Sequence, residues 1–444
     1  MSLITVSVFV LIAIVLIVLL TSVLKLNAFV SLFAVSLLLA LTALPGRDVI
    51  SVMKDGFGST MSSIGFLIIF GAMIAVMLEK SGGAVSIANY MLSKTGKSKA
   101  AAALGITGFI AGMPIFCDSG FIILSGLAKS FSAKSRIALP FVAIVLATSL
   151  YSVHCLLPTH PGTLAAAGIM NVNVGHLILL GTLYAIPAAL TAFFYTKWMT
   201  RKESAYEIES HEHNLQIPEQ KDLPSIGLSL LPIVAPLVLI ALGSLMKMFG
   251  FSDSHFFVKS LIFIGQPVMA LLVGVISSFL LIKNSGIKTI NLLFDSAIEK
   301  AGPILIIVAS GGMFGLVIKE TGVGGYIGEL LVNTGLGLAV PFLIAAILKT
   351  AQGSSTVAII TAASFVVPML PALGLQTETG KLLTMISMGA GSMMISHAND
   401  AYFWVITRFS GINVNTTLKV YSTATVVMGV TVFLCVLLTS YFVL

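Results

Sequence analysis

The chain has 444 residues, 57% of them hydrophobic and 9% charged, with a formal net charge of +7 and a mean hydropathy of +1.06. No soluble core needs so much apolar sequence, and repeated apolar segments of about 20 residues describe a polytopic helical membrane protein. The basic surplus is not interleaved with exposed aromatics, so loops on one side of a membrane account for it better than a nucleic-acid surface does. The three cysteines, Cys117, Cys155 and Cys435, all fall in apolar segments. They lack the spacing of a disulfide framework or a metal site, and no metal or cofactor is expected.

The first apolar segment, residues 4–24, has no Lys or Arg before it and exceeds a signal-peptide core, so it reads as a spanning helix. Further spans are predicted at 26–44, 61–78, 137–156 and 174–196, then at 226–246, 259–282, 302–318, 381–410 (interrupted) and 420–442. Two other apolar stretches, 100–128 and 337–366, are broken at mid-length by GMPIFCDSG (112–120) and AQGSST (351–356). Each reads as a re-entrant hairpin whose irregular tip is buried in protein. With the hairpins not crossing and the N-terminus outside, the inside loops collect all 24 basic residues except Arg47, Lys54, Lys247, Lys259, Lys319, Lys349 and Lys381. That bias follows the positive-inside rule. It places both termini outside and the charged linker 197–224 in the cytoplasm. Within that linker His211 and His213 flank Glu212, which reads as a solvated loop rather than a metal site.

Each half then holds five crossings and one hairpin, so residues 1–196 and 225–444 are expected to be two inverted repeats, each with a broken helix. GAMIAVMLEKSG at 71–82 lines up with GGMFGLVIKETG at 311–322, and Gly112 with Gly353. His154 with His397, and Gly168-Ile169 with Gly411-Ile412, line up at a slightly larger shift. Paired broken helices in inverted repeats point to a secondary transporter with its site near the midplane.

A charged side chain at bilayer depth costs roughly 2.5–3.5 kcal/mol on insertion scales, so such residues stay where they face protein, water or a ligand. Of 17 acidic residues, Asp118 and Asp400 are the two expected at that depth. Burial disfavours the ionised form of a carboxyl, which suits either for proton coupling; the alternative is a permanent helix cap. Lys349 precedes the second tip and could hold a substrate carboxylate or neutralise Asp118. The tips, Ser119-Gly120 and Gly353-Ser354-Ser355-Thr356, combine hydroxyls with glycine at the starts of helices, where free N–H groups can meet an anion. Pro158 and Pro161 break the helix around Thr159 and His160, while Ser396, His397, Asn399 and Asp400 form the second break. His154 reads as a packed helix residue.

GMPIFCDSGF, LPTHPG, AQGSSTVA and SMMISHANDAYFW resemble the corresponding motifs of the gluconate:proton symporter family, grouped with the ion transporter superfamily. The resemblance runs in order over essentially the whole chain. It implies proton-driven import of a small hydroxy-carboxylate such as gluconate across a bacterial inner membrane, with D-serine or another small carboxylate as the alternative. It also implies two hairpins moving as a transport body against a scaffold, usually in a homodimer. The residues carried over by motif are Asp118, Thr159, His160, Gly353, Ser354, Thr356, Ser396, His397, Asn399 and Asp400. Three positions depart from the common pattern: Cys117 where an aromatic is usual, Thr159 and Thr163 around His160 where prolines are usual, and Lys349 where Arg is usual. Sodium coupling through Ser355 and Thr356 is the rival within transport. A channel is disfavoured by the absence of a charged ring, and an intramembrane enzyme by the absence of HExxH.

Overall fold

A computed structural model describes residues 3–20, 24, 26–96, 99–201, 223–248, 256–282, 286–323, 336–397 and 400–444. Most of the predicted linker, with His211 and His213, and Asn399 lie outside the described residues. Every regular element described is helical. The first half runs α1 Leu3–Val18, α2 Ala28–Ala43, α3 Val49–Lys80, α4 Gly83–Thr95, α5 Ala100–Gly112, α6 Cys117–Ser135, α7 Leu139–Leu156, α8 Pro161–Met170 and α9 Val174–Met199. The second runs α10 Ile226–Met248, α11 Phe256–Ile264, α12 Pro267–Ser278, α13 Ile287–Glu320, α14 Ala339–Gln352, α15 Ser355–Val366, α16 Glu378–Met393, α17 Ala401–Ser410 and α18 Thr423–Val443. A π-helical stretch, Thr417–Ser422, leads into α18.

Among the described residues five helices are long and apolar enough to cross a membrane, and up to seven if each bent pair counts as one span. The predicted span 259–282 is such a pair, α11 and α12, bent by 75°. The predicted spans 61–78 and 302–318 are the apolar ends of the 32-residue α3 and the 34-residue α13. At 1.5 Å per residue α13 is roughly 50 Å long, more than the hydrocarbon thickness, and α3, of similar contour, bends by 44° between Ser62 and Gly65. Asp48 fixes the start of α3 by accepting from Ser51 N at 3.1 Å. The short helix α4 is an element that the hydropathy pattern does not foreshadow. It carries Lys94, whose Nζ lies 5.7 Å from the Tyr90 ring centroid.

The two halves repeat the same order of helices at a shift close to 240 residues: α3 matches α13, α5 matches α14, α8 matches α17, and α9 matches the segment ending in α18. The matched pair α3 and α13 pack antiparallel. Arg47, before α3, reaches Glu320 at the end of α13 at 3.4 Å, while Glu79 near the end of α3 meets Lys300 at 2.8 Å. Antiparallel equivalents are what inverted repeats produce. The caps refine the register: α8 ends at Asn171 and α17 at Gly411, both left-handed. Gly168 lies inside α8, so the expected pairings of Gly168 with Gly411 and of His154 with His397 are three residues out, and His160 is the equivalent of the second break's last residue, Asp400.

Both hairpins form as expected. Pro114 interrupts α5–α6. In α14–α15 Gly353 turns the chain at φ +81°, a conformation that a residue with a Cβ resists. The hairpins exchange partners across the repeats, α6 packing on α17 and α15 on α8. The starts of all four helices are thereby drawn to one place, with the paired α3 and α13 alongside.

Candidate functional site

A cavity of about 500 Å³ sits where these helix starts converge, a size typical of small-ligand sites. Cys117, Asp118 and Ser119 open α6; Gly353, Ser354, Ser355 and Thr356 open α15; Pro161 opens α8; Asp400, Ala401 and Tyr402 open α17. Tyr151 and His154 of α7 and Lys300, Ile304 and Ile307 of α13 complete the wall. A helix N-terminus carries the equivalent of roughly half a positive charge, so four of them around one cavity favour an anion. Ser354 accepts from Val357 N at 3.2 Å and Asp400 from Tyr402 N at 2.9 Å, so α15 and α17 are capped. Among the described residues no side chain caps α6 or α8, which leaves first-turn donors of α6 for a ligand.

The two acids differ sharply. Asp400 is buried and bound to Lys349 Nζ at 2.6 Å; Ser396 Oγ donates to the same oxygen. Lys349, 0% exposed, also donates to the Gly353 carbonyl. Its ammonium lies 5.8 Å from the Tyr151 ring centroid, a favourable place for a desolvated cation. Lys349 therefore neutralises Asp400, not Asp118, and it does not line the cavity. Asp118 is half-buried and faces the cavity; Cys117 Sγ approaches it at 3.8 Å. Among the described residues no cation lies within ion-pair distance of it.

Of the other expected site residues, Ser119, Gly353, Ser354, Ser355 and Thr356 line the cavity. Gly120 does not: a Cβ there would stand 2.9 Å from Leu150 Cδ2, so it serves helix packing. Thr159 faces a separate small cleft with Pro232 and Pro236. His160 is buried and binds the Gly112 carbonyl through Nε2 at 2.7 Å. Since that carbonyl only accepts, Nε2 carries a proton and the ring ties the first tip to α8. Ser396 acts through Asp400, and His397 binds the Thr350 carbonyl at 3.2 Å, behind the second tip.

The structure adds residues that the motifs did not single out. Gln352 lines the cavity with both amide atoms buried and without a hydrogen-bond partner among the described residues, and so does His154 with its Nδ1. Buried polar atoms normally find partners, so both are poised for a polar ligand. The place of Gln352 beside Gly353 in the AQGSST tip was a usable signal; His154 looked like any helix residue. Tyr151 and Tyr402 line the cavity and stack at 5.6 Å, and Tyr421 meets Tyr402 edge-on at 6.0 Å. Tyr402 also donates to the Ala147 carbonyl at 3.0 Å.

The chain is 32% identical over 425 residues to the inner membrane permease YgbN of Escherichia coli K12, covering 92% of this chain and 93% of that one. It is 31% identical over 427 residues to the gluconate permease of Pseudomonas aeruginosa, with 94% and 93% covered. The crystal structure of the YdaH transporter of Alcanivorax borkumensis shares the fold, with a TM-score of 0.63 at 14% identity over 93% of this chain and 98% of that one. The model of the GntP family permease matches residues 4–442. The chain therefore belongs to the GntP permease family of multi-pass membrane transporters.

Proposed function

We propose that this chain imports a small hydroxy-monocarboxylate, gluconate or a related sugar acid, across the inner membrane by proton symport. The observation that carries the reading is the convergence of four helix N-termini on a cavity that holds one carboxyl, Asp118, without an ion-pair partner among the described residues. The substrate carboxylate lies against the first-turn N–H groups of α6 and the hydroxyls of Ser354, Ser355 and Thr356. Its hydroxyls reach Gln352 and His154. Asp118 beside it takes up a proton with the anion, which keeps the loaded site close to neutral. The hairpins with α7, α8, α16 and α17 move as one body past α3 and α13, an elevator-like change that carries the cavity from one face to the other. The names of the relatives, inner membrane permease and gluconate permease, support the membrane and the substrate class.

The test is uptake of labelled gluconate into proteoliposomes under an imposed pH gradient without sodium. D-Serine, glycerate and a dicarboxylate serve as competitors. Concentrative uptake that a protonophore collapses is the expected result. Sodium-dependent uptake at fixed pH, with no response to the proton gradient, overturns the coupling ion. Accumulation of D-serine in preference to gluconate overturns the substrate.

A further inference from the structure

On the other side of the contact between α13 and the α8–α15 pair lie two adjoining cavities of about 300 and 470 Å³. Both are lined by Lys319, Asn171, Ile169 and Val367; the first also by Thr60, the second by Lys381. Lys319 is exposed, and its ammonium makes no ion pair among the described residues. The 240-residue shift that matches α3 to α13 takes Glu79 to Lys319 and carries Thr60 to Lys300. The pair at the wall of the substrate cavity, Lys300 and Glu79, thus has a repeat-related counterpart, Thr60 and Lys319, across the first of these cavities. Both counterpart residues line it. Lys300 and Lys319 stand on one helix, 19 positions apart by number, which is roughly 28 Å along its axis. That is close to the hydrocarbon thickness of a bilayer.

We propose that Lys319 and its two cavities form the anion-capture site of the opposite face, with Lys300 as its counterpart on the face to which the substrate cavity now opens. This rests on the transport reading above. Each lysine is a specificity residue for one access state: the substrate carboxylate passes Lys300 in the present arrangement and Lys319 in the alternate one. The two are not equivalent. Lys300 is held by Glu79 at 2.8 Å, so an anion must compete with a carboxylate already there. Lys319 faces Thr60 instead, which brings no competing charge. Capture is therefore tighter from the Lys319 face, so the half-saturation concentration is lower from that face than from the other.

The experiment measures half-saturation concentrations separately from each face, in right-side-out and inside-out vesicles, for Lys319→Gln, Lys300→Gln and Lys319→Arg. Lys319→Gln is expected to raise the half-saturation concentration about five- to tenfold from the Lys319 face only. The maximal rate from that face should be retained while the maximal rate from the other face falls in proportion, because the overall equilibrium ties maximal rate over half-saturation concentration on the two faces. Raised salt should shrink the difference from wild type by screening. Lys319→Arg keeps the wild-type value, and Lys300→Gln raises the half-saturation concentration from the other face only. A Lys319→Gln rise in half-saturation concentration equal on both faces, or none on either, overturns the inference while wild-type uptake leaves the transport reading standing. Absence of carboxylate uptake in the wild type overturns both.

Discussion

Asp118 and Asp400 carry the same carboxyl group, one residue into α6 and at the cap of α17, yet their surroundings assign them different work. Asp400 satisfies Lys349, Ser396 and the Tyr402 N–H together. Protonating it would leave a fully buried ammonium without its counter-charge, which is costly. Asp118 has the cavity on one side and a thiol on the other, so it can gain or lose a proton without breaking a pair. Asp118→Asn is therefore expected to abolish accumulation driven by a pH gradient while substrate exchange down its own gradient survives. Asp118→Glu should retain part of the coupling. Gradient-driven accumulation at the wild-type level in Asp118→Asn would shift the proton to another group, with His154 the next candidate by position. The sequence alone could not separate the two acids, because what separates them is Lys349, 51 positions from Asp400 by number.

At the scale of elements, each hairpin tip is tied to the broken helix of its own repeat by a different residue. In the first repeat His160, at the N-cap of α8, binds the Gly112 carbonyl directly. In the second, Lys349 bridges the Gly353 carbonyl to Asp400, the repeat equivalent of His160. Removing one member of a buried ion pair typically costs about 3–5 kcal/mol. Lys349→Met should thus lower the melting temperature of the purified protein and loosen the second tip, and adding Asp400→Asn should cost less than the sum of the single changes. Strict additivity of the two would show that the pair is not an energetic unit. The hairpins themselves were legible, since irregular, polar backbone is tolerated at membrane depth only where protein or a water-filled cavity surrounds it. The starts of α3 and α13 were not, because Lys54, Asp55, Glu299 and Lys300 resemble an ordinary loop until the helices pair. Thr159 and His160 shared motifs with cavity residues yet point elsewhere, and Gly120 packs against Leu150; adjacency in sequence does not fix the direction of a side chain around a helix break.

For the whole molecule, the convergence of α6, α8, α15 and α17 requires both repeats, so ligand binding should stabilise the complete fold rather than one half. The convergent N-termini also make charge the feature that the site reads first. A ligand that binds only the folded state stabilises it by RT ln(1 + [L]/Kd), about 2.7 kcal/mol at a hundredfold excess over Kd. Gluconate should consequently raise the melting temperature in detergent in a concentration-dependent way. The neutral polyol of the same carbon count, which keeps the hydroxyls but lacks the carboxylate, should not. The shift should disappear when Ser354 and Ser355 are both replaced by Ala, which removes tip hydroxyls that line the cavity without touching the Lys349–Asp400 pair. Equal stabilisation by the polyol and the acid would mean that the hydroxyl contacts, not the helix N-termini, dominate recognition. The cavity would then be read as a polyol site in which the carboxylate is incidental.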